Sequence, residues 1–135
     1  MNLTLQNFFL EVDDHEAALA FYRDVLGLEV RNDVKMEFGR WLTIGPRDQP
    51  ELSIVMQSVG VGRPPEDAQA LQSLLAKGSL SGLVFTTGDV DAVFEKVSAS
   101  GAEVLQEPMD MPYGVRDCAF RDPAGNMVRF SQPKS

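Results

Sequence analysis

Along residues 4–12 polar and apolar positions alternate. Phe8, Leu10 and Val12 share one side, Asn7, Phe9 and Glu11 the other, which predicts a strand with one face buried. The period then changes. Asp14 is placed to cap a helix with its carboxylate, Ala18, Phe21, Tyr22 and Val25 follow at helical spacing, and Gly27 supplies the left-handed residue that ends it. Three more strands are expected, over 28–35, 38–45 and 51–57.

The same order returns further along. Shifted by 75 residues, 7–12 lies over 82–87, Asp14 over Asp89 and Ala17 over Ala92. One residue slips near Gly27 and Gly101, and 39–57 then covers 114–132 at the original offset with no gap. Asp89 would cap a second helix whose stripe is Val90, Val93, Phe94 and Val97, and Gly101 would close it. Strands are expected at 102–107, 114–121 and 126–132, with Asp122-Pro123-Ala124-Gly125-Asn126 as a structural turn. Self-similarity of this kind governs the whole fold reading. The chain is expected to be a single α+β domain, 1–135, made of two β-α-β-β-β modules, 1–57 and 80–135. Between them 58–79 reads as a linker with a packing helix over 66–77, opened by Pro65, striped by Leu71, Leu74 and Leu75 and stopped by Gly78.

Each module would lay one helix on one face of a four-stranded sheet. By alternation Phe9, Trp41, Ile54, Met56 and Met127 point to the other face, so two curved sheets with helices outside would enclose a partly apolar cleft. Composition narrows what that cleft serves. The 135 residues are 44% hydrophobic and 24% charged, ordinary for a globular domain, and carry 12 Lys+Arg against 20 Asp+Glu, a net charge of −8. With no basic cluster, nucleic acid is not an expected partner, and neither is an anionic membrane surface. No apolar run is long enough to span a bilayer, and the first residues do not begin a signal peptide. Cys118 is the only cysteine, so no internal disulfide forms, and a cytoplasmic location is the simpler expectation.

Two stretches carry a family resemblance. Val12-Asp13-Asp14, then Ala18, then Phe21-Tyr22-Arg23-Asp24-Val25-Leu26-Gly27-Leu28, resembles the opening of the vicinal oxygen chelate superfamily, the group of glyoxalase I, extradiol dioxygenases and the bleomycin resistance proteins. Pro-Tyr-Gly-Val-Arg-Asp-Cys-Ala-Phe-Arg-Asp-Pro-Ala-Gly-Asn over 112–126 is similar to the end of the bleomycin-resistance-like branch. The resemblance covers nearly the whole chain outside 58–80. It implies paired βαβββ modules, a homodimer, and ligand clefts formed by curved sheets.

Enzymes of that family hold a divalent metal with His, Gln or Glu on the first and last strands of the modules. The matching positions here are Asn7, Gly82, Ile54 and Arg129, none a usual ligand, so the resemblance implies neither metal nor cofactor. The expected activity is binding of a small aromatic or amphipathic molecule, with antibiotic or toxin sequestration as one use. Asn7, Phe9, Glu11, Trp41, Ile54, Met56, Tyr113, Arg116 and Arg129 are the expected ligand-binding residues. The alternative is a glyoxalase-like lyase, isomerase or dioxygenase, which would need other metal donors, such as Glu11 with Glu51, or acid–base chemistry without a metal.

Four side chains need separate readings. Arg129, pointing inward, requires a carboxylate or an anionic ligand, and Glu11 is the expected carboxylate. His15, the only histidine, is expected to be a solvated first-turn residue outside the cleft. Cys118 reads as a buried, inert thiol, or as a reactive one if Arg116 faces the cleft beside it. Met109–Tyr113 would form a lip over the cleft.

Overall fold

The computed structural model describes residues 1–37, 39–80 and 82–134. Position 38, expected to begin the third strand, and positions 81 and 135 of the second half lie outside the described residues.

Strand β1 (Asn7–Val12) leads to helix α1 (His15–Leu19), which widens into a π-type turn over Ala20–Val25. Asp14 caps it, its Oδ1 accepting from the Glu16 and Ala17 amides at 2.9 and 3.2 Å. The widened turn closes through Leu26 N–H to the Phe21 carbonyl, 3.0 Å, and Gly27 follows at φ 78°. Then come β2 (Glu29–Met36), β3 (Gly39–Gly45) and β4 (Ser53–Ser58), in a sheet of order β1-β4-β3-β2. After α2 (Pro65–Ala76) the plan repeats as β5 (Leu83–Thr86), α3 (Val90–Ala99), β6 (Val104–Asp110), β7 (Val115–Arg121) and β8 (Met127–Pro133), in the order β5-β8-β7-β6. Asp89 caps α3 through the Ala92 amide at 3.1 Å. In each sheet the outer first strand runs parallel to the last, and the remaining pairs are antiparallel. Two units result, Met1–Ser73 and Leu74–Ser135, each with its own four-stranded sheet.

Two expected boundaries move by three residues, and the others by two at most. β1 begins at Asn7 rather than at 4, with Leu3 and Leu5 exposed ahead of it. β6 runs on to Asp110, so Met109 belongs to a strand, not to a lip. What joins β6 to β7 is a tight turn, closed by Met111 N–H to the Val115 carbonyl at 2.7 Å with Gly114 at φ 88°.

The helix-covered faces hold the cores. In the first unit Leu10, Val12, Leu42, Ile44, Ile54 and Met56 are buried with Phe21 and Tyr22 of the helix. In the second, Leu83, Cys118, Phe120, Val128 and Phe130 lie beneath Val90 and Val97, with the Phe94 and Phe120 rings 5.4 Å apart. The Asp122–Asn126 turn is structural, as expected. Asp122 Oδ1 accepts from the amides of Ala124, Gly125 and Asn126, each at 2.9 Å, so a buried carboxylate is satisfied locally.

Candidate functional site

Strand register decides which side chains share a face. In the first sheet Phe8 pairs with Ile54, Phe9 with Val55 and Leu10 with Met56. Ile54 and Met56 therefore join Leu10 on the helix face, 3% and 1% exposed, and are core rather than lining. The reason is loop length. The β3–β4 loop, 46–52, is two residues longer than its counterpart 122–126, so an ungapped overlay puts β4 one residue out of phase. Val55 takes the place expected for Ile54.

The face of the first sheet that α1 leaves uncovered carries Asn7, Phe9 and Glu11 from β1, Val55 and Gln57 from β4, Trp41 and Thr43 from β3, and Asn32 and Val34 from β2, though Val55 and Thr43 at its middle are themselves buried. Phe9 is 59% exposed and Trp41 37%, large apolar surfaces on a face that α1 does not cover. Glu11 lies half-buried at one end. Its carboxylate accepts from Arg63 at 2.8 Å and from the Gln57 amide at 3.4 Å. Burial raises its pKa above the ordinary glutamate value, and the Arg63 charge pulls the other way.

In the second sheet Val84 pairs with Arg129, Ala119 with Arg129, and Gln106 with Ala119. These residues, with Met109, Asp117, Met127 and Ser131, form the face that α3 leaves uncovered, though Ala119 and Asp117 at its middle are themselves buried. The expected partner of Arg129 was Glu11. The structure supplies Asp117 instead, its Oδ2 3.1 Å from Arg129 Nη1 and its side chain 2% exposed. Gln106 bridges the pair. Its Nε2 donates to Asp117 Oδ1 at 2.6 Å, and its Oε1 accepts from Arg129 Nη1 at 3.0 Å. The Tyr113 hydroxyl donates to Asp117 Oδ2 at 3.3 Å from the β6–β7 turn.

Two other expectations change, those for Arg116 and His15, while Cys118 is the buried thiol expected. Arg116 pairs in register with Gln132 and sits on the helix face, where it binds Asp91 of α3 at 2.9 Å and Asp110 at 3.4 Å. There it acts as a strut between α3 and the sheet, away from the face that carries Arg129. Cys118 shares the helix face and is fully buried. Burial first, and then the Asp117 charge, push its thiol up to about 11, so it is inert at neutral pH. His15 is not merely solvated. Its Nε2 donates to the Met56 carbonyl at 2.9 Å, tying the start of α1 to β4. Of the nine expected site residues, Asn7, Phe9, Glu11 and Trp41 meet on the first uncovered face, and Arg129 and Tyr113 on the second. Asp117 and Gln106 were not foreseen.

The sequence pattern of the Glyoxalase/Bleomycin resistance protein/Dioxygenase superfamily matches residues 4–130. The chain belongs to this superfamily. Among solved structures of the superfamily's fold, UcmS2 is 34% identical, with 97% of this chain and 98% of that one covered and a TM-score of 0.88. TnmS3, an antibiotic binding protein from Streptomyces sp. CB03234, is 30% identical with 98% of both chains covered and a TM-score of 0.76. PA2024 of Pseudomonas aeruginosa is 31% identical over 137 residues, covering 97% of this chain and 89% of its own.

The places that match the superfamily's metal ligands do not make a cation set in either unit. The register gives Asn7, Val55, Gly82 and Arg129 as the first- and last-strand places. Val and Gly offer no side-chain donor, and the guanidinium is itself a cation. Gly82 has no room for a ligand, since a Cβ there would lie 1.9 Å from the Met127 carbonyl oxygen. Among the described residues, no three His, Cys, Asp or Glu side chains gather as a cation would require. Among the described residues, no helix is long and apolar enough to cross a membrane.

Proposed function

We propose that this protein binds a small, flat, aromatic or amphipathic molecule on its uncovered sheet faces without a metal, and that it serves to sequester an antibiotic or another toxic compound. One observation carries the reading: the family's metal positions hold Asn7, Val55, Gly82 and a paired arginine, on faces that also present half-exposed aromatic rings. On the first face Phe9 and Trp41 supply apolar contact and Asn7 and Glu11 set orientation; on the second, Tyr113 supplies contact and Arg129 orientation. The likeness to TnmS3, an antibiotic binding protein, supports the class of ligand. The partner this reading expects is a second copy of the chain, in the cytoplasm, and light scattering in solution tests the dimer.

Calorimetry across bleomycin and a panel of planar antibiotics, followed in parallel by Trp41 fluorescence, tests the binding. Saturable heat with a fluorescence change supports it. A panel with neither overturns it.

A second reading rests on Glu11. A carboxyl lifted by burial at the edge of an uncovered face suits proton transfer without a metal, as a lyase or isomerase would need. Formation of S-lactoylglutathione from the methylglyoxal–glutathione hemithioacetal, lost in Glu11→Gln, would favour it over sequestration.

A further inference from the structure

We infer that Arg129 selects a neutral hydrogen-bond acceptor, a ring carbonyl or similar group on a flat ligand, and discriminates against carboxylates and phosphates. The inference deepens the binding reading and rests on it. An inward arginine with no partner would demand an anion. This one is already neutralised, because Asp117 lies 3.1 Å from Nη1 and is almost wholly withdrawn from water. The pair is also locked. Gln106 Nε2 donates to both Asp117 Oδ1 and the Asp117 carbonyl, at 2.6 and 3.1 Å, and the Tyr113 hydroxyl takes part at Oδ2. Nη1 is thereby held between two acceptors, Asp117 Oδ2 and Gln106 Oε1. Nη2 has only the soft sulfur of Met127, at 3.9 Å, among the described residues. The guanidinium therefore has one edge fixed and the other edge, with strong donors, on a face that also carries Val84 and Met109, 63% and 49% exposed.

The charge balance then chooses the ligand. A carboxylate arriving at Nη2 would give up its hydration and meet a site of net zero charge with a fixed anion close behind, within a chain of net charge −8. A carbonyl oxygen gives up much less hydration and still receives a charge-assisted hydrogen bond.

Three matched probes test this at neutral pH by calorimetry: 2-acetylnaphthalene, 2-naphthoate and 2-ethylnaphthalene. The ketone is expected to bind roughly five- to tenfold tighter than either of the others, the worth of one hydrogen bond. In Asp117→Asn the order should reverse, with 2-naphthoate tightest, because the guanidinium charge is then unbalanced. The wild-type ranking needs no variant, so the inference stays open to refutation even if Asp117→Asn does not fold. Naphthoate binding as tightly as the ketone in the wild type overturns it, as does a folded Asp117→Asn that keeps the original order. Equal binding of all three overturns this inference and leaves the binding reading standing. No binding by any of them, together with a silent antibiotic panel, overturns both.

Discussion

Rung by rung, the two sheets place different chemistry on the same backbone. In the first, Phe9, Val55, Thr43 and Asn32 follow one another across the uncovered face; in the second the same places hold Val84, Arg129, Ala119 and Gln106. Where Trp41 stands in β3, Asp117 stands in β7. The helix faces, by contrast, match closely, with Ile44 and Ile54 in one and Phe120 and Val128 in the other, all buried. Stability thus rests on the surface the halves share, and the other surface is free to diverge. One half presents stacking area and the other an oriented donor.

The largest expected effects test the shared side. Phe120→Ala should cost about 3–5 kcal/mol and Ile44→Ala about 2–5 kcal/mol, each leaving a cavity beneath a helix, read from urea unfolding. A loss under about 1 kcal/mol at either would break the parallel between the cores. On the divergent side the two corresponding positions should lose different things. Trp41→Ala gives up the part of the ring that is out of water, about 2–4 kcal/mol, and should also weaken ligand binding. A loss under about 1 kcal/mol at Trp41 would mean that its ring packs on nothing but ligand. Asp117→Ala removes a buried acceptor from Arg129, Gln106 and Tyr113 together, and is expected to cost about 1–3 kcal/mol; because Arg129 is itself partly exposed, the larger cost of breaking a fully buried pair does not apply. A smaller contrast separates the first strands. Gly82→Ala forces a Cβ onto the Met127 carbonyl and should cost about 1–3 kcal/mol, whereas Asn7→Ala, with room for a side chain, should stay within about 0.5 kcal/mol.

Much of this plan was legible in the sequence, for reasons that also explain the errors. The repeated order of elements, both aspartate caps and the buried Asp122 turn each depend on contacts within a few residues, which local pattern records. β4 misled because Ile54, Val55 and Met56 are all apolar, so alternation could not say which of them faces the helix; only the pairing with Phe8, Phe9 and Leu10 decides. Arg116 misled for a related reason, since the ungapped overlay lays it on Trp41, one residue out of phase with the register. Counting outward from 122–126 places Ala119 opposite Arg129 and Asp117 one rung away on the same face, a signal the chain did contain. The widened turn at Ala20–Val25 left no signature in the spacing of Ala18, Phe21 and Tyr22.

The smallest expected effects are on pH dependence, and here the halves share a device while one residue opposes it. Arg40 bonds Asp33 and Glu16 in the first unit, as Arg116 bonds Asp91 and Asp110 in the second. Asp33 is held below its ordinary 3.8 by its hydrogen bond to Arg40, and Asp91 by its hydrogen bond to Arg116. Each such carboxylate contributes stability above that value and loses it as pH falls through its folded pKa. Both are well exposed, so salt should blunt the loss. Glu11 has the opposite sign. Burial raises it above 4.5, so the folded state holds its proton more tightly than the unfolded chain does, and its contribution fades as pH rises through the folded value. Urea midpoints at about pH 3, pH 5 and pH 7 should therefore show Asp91→Asn flattening the acid side of the profile. Glu11→Gln should leave the acid side alone and remove a decline on the neutral side. A Glu11→Gln profile parallel to the wild type from about pH 5 upward would mean that Arg63 fully offsets the burial, and the half-buried carboxyl would then be an ordinary anion like those beside Arg40 and Arg116.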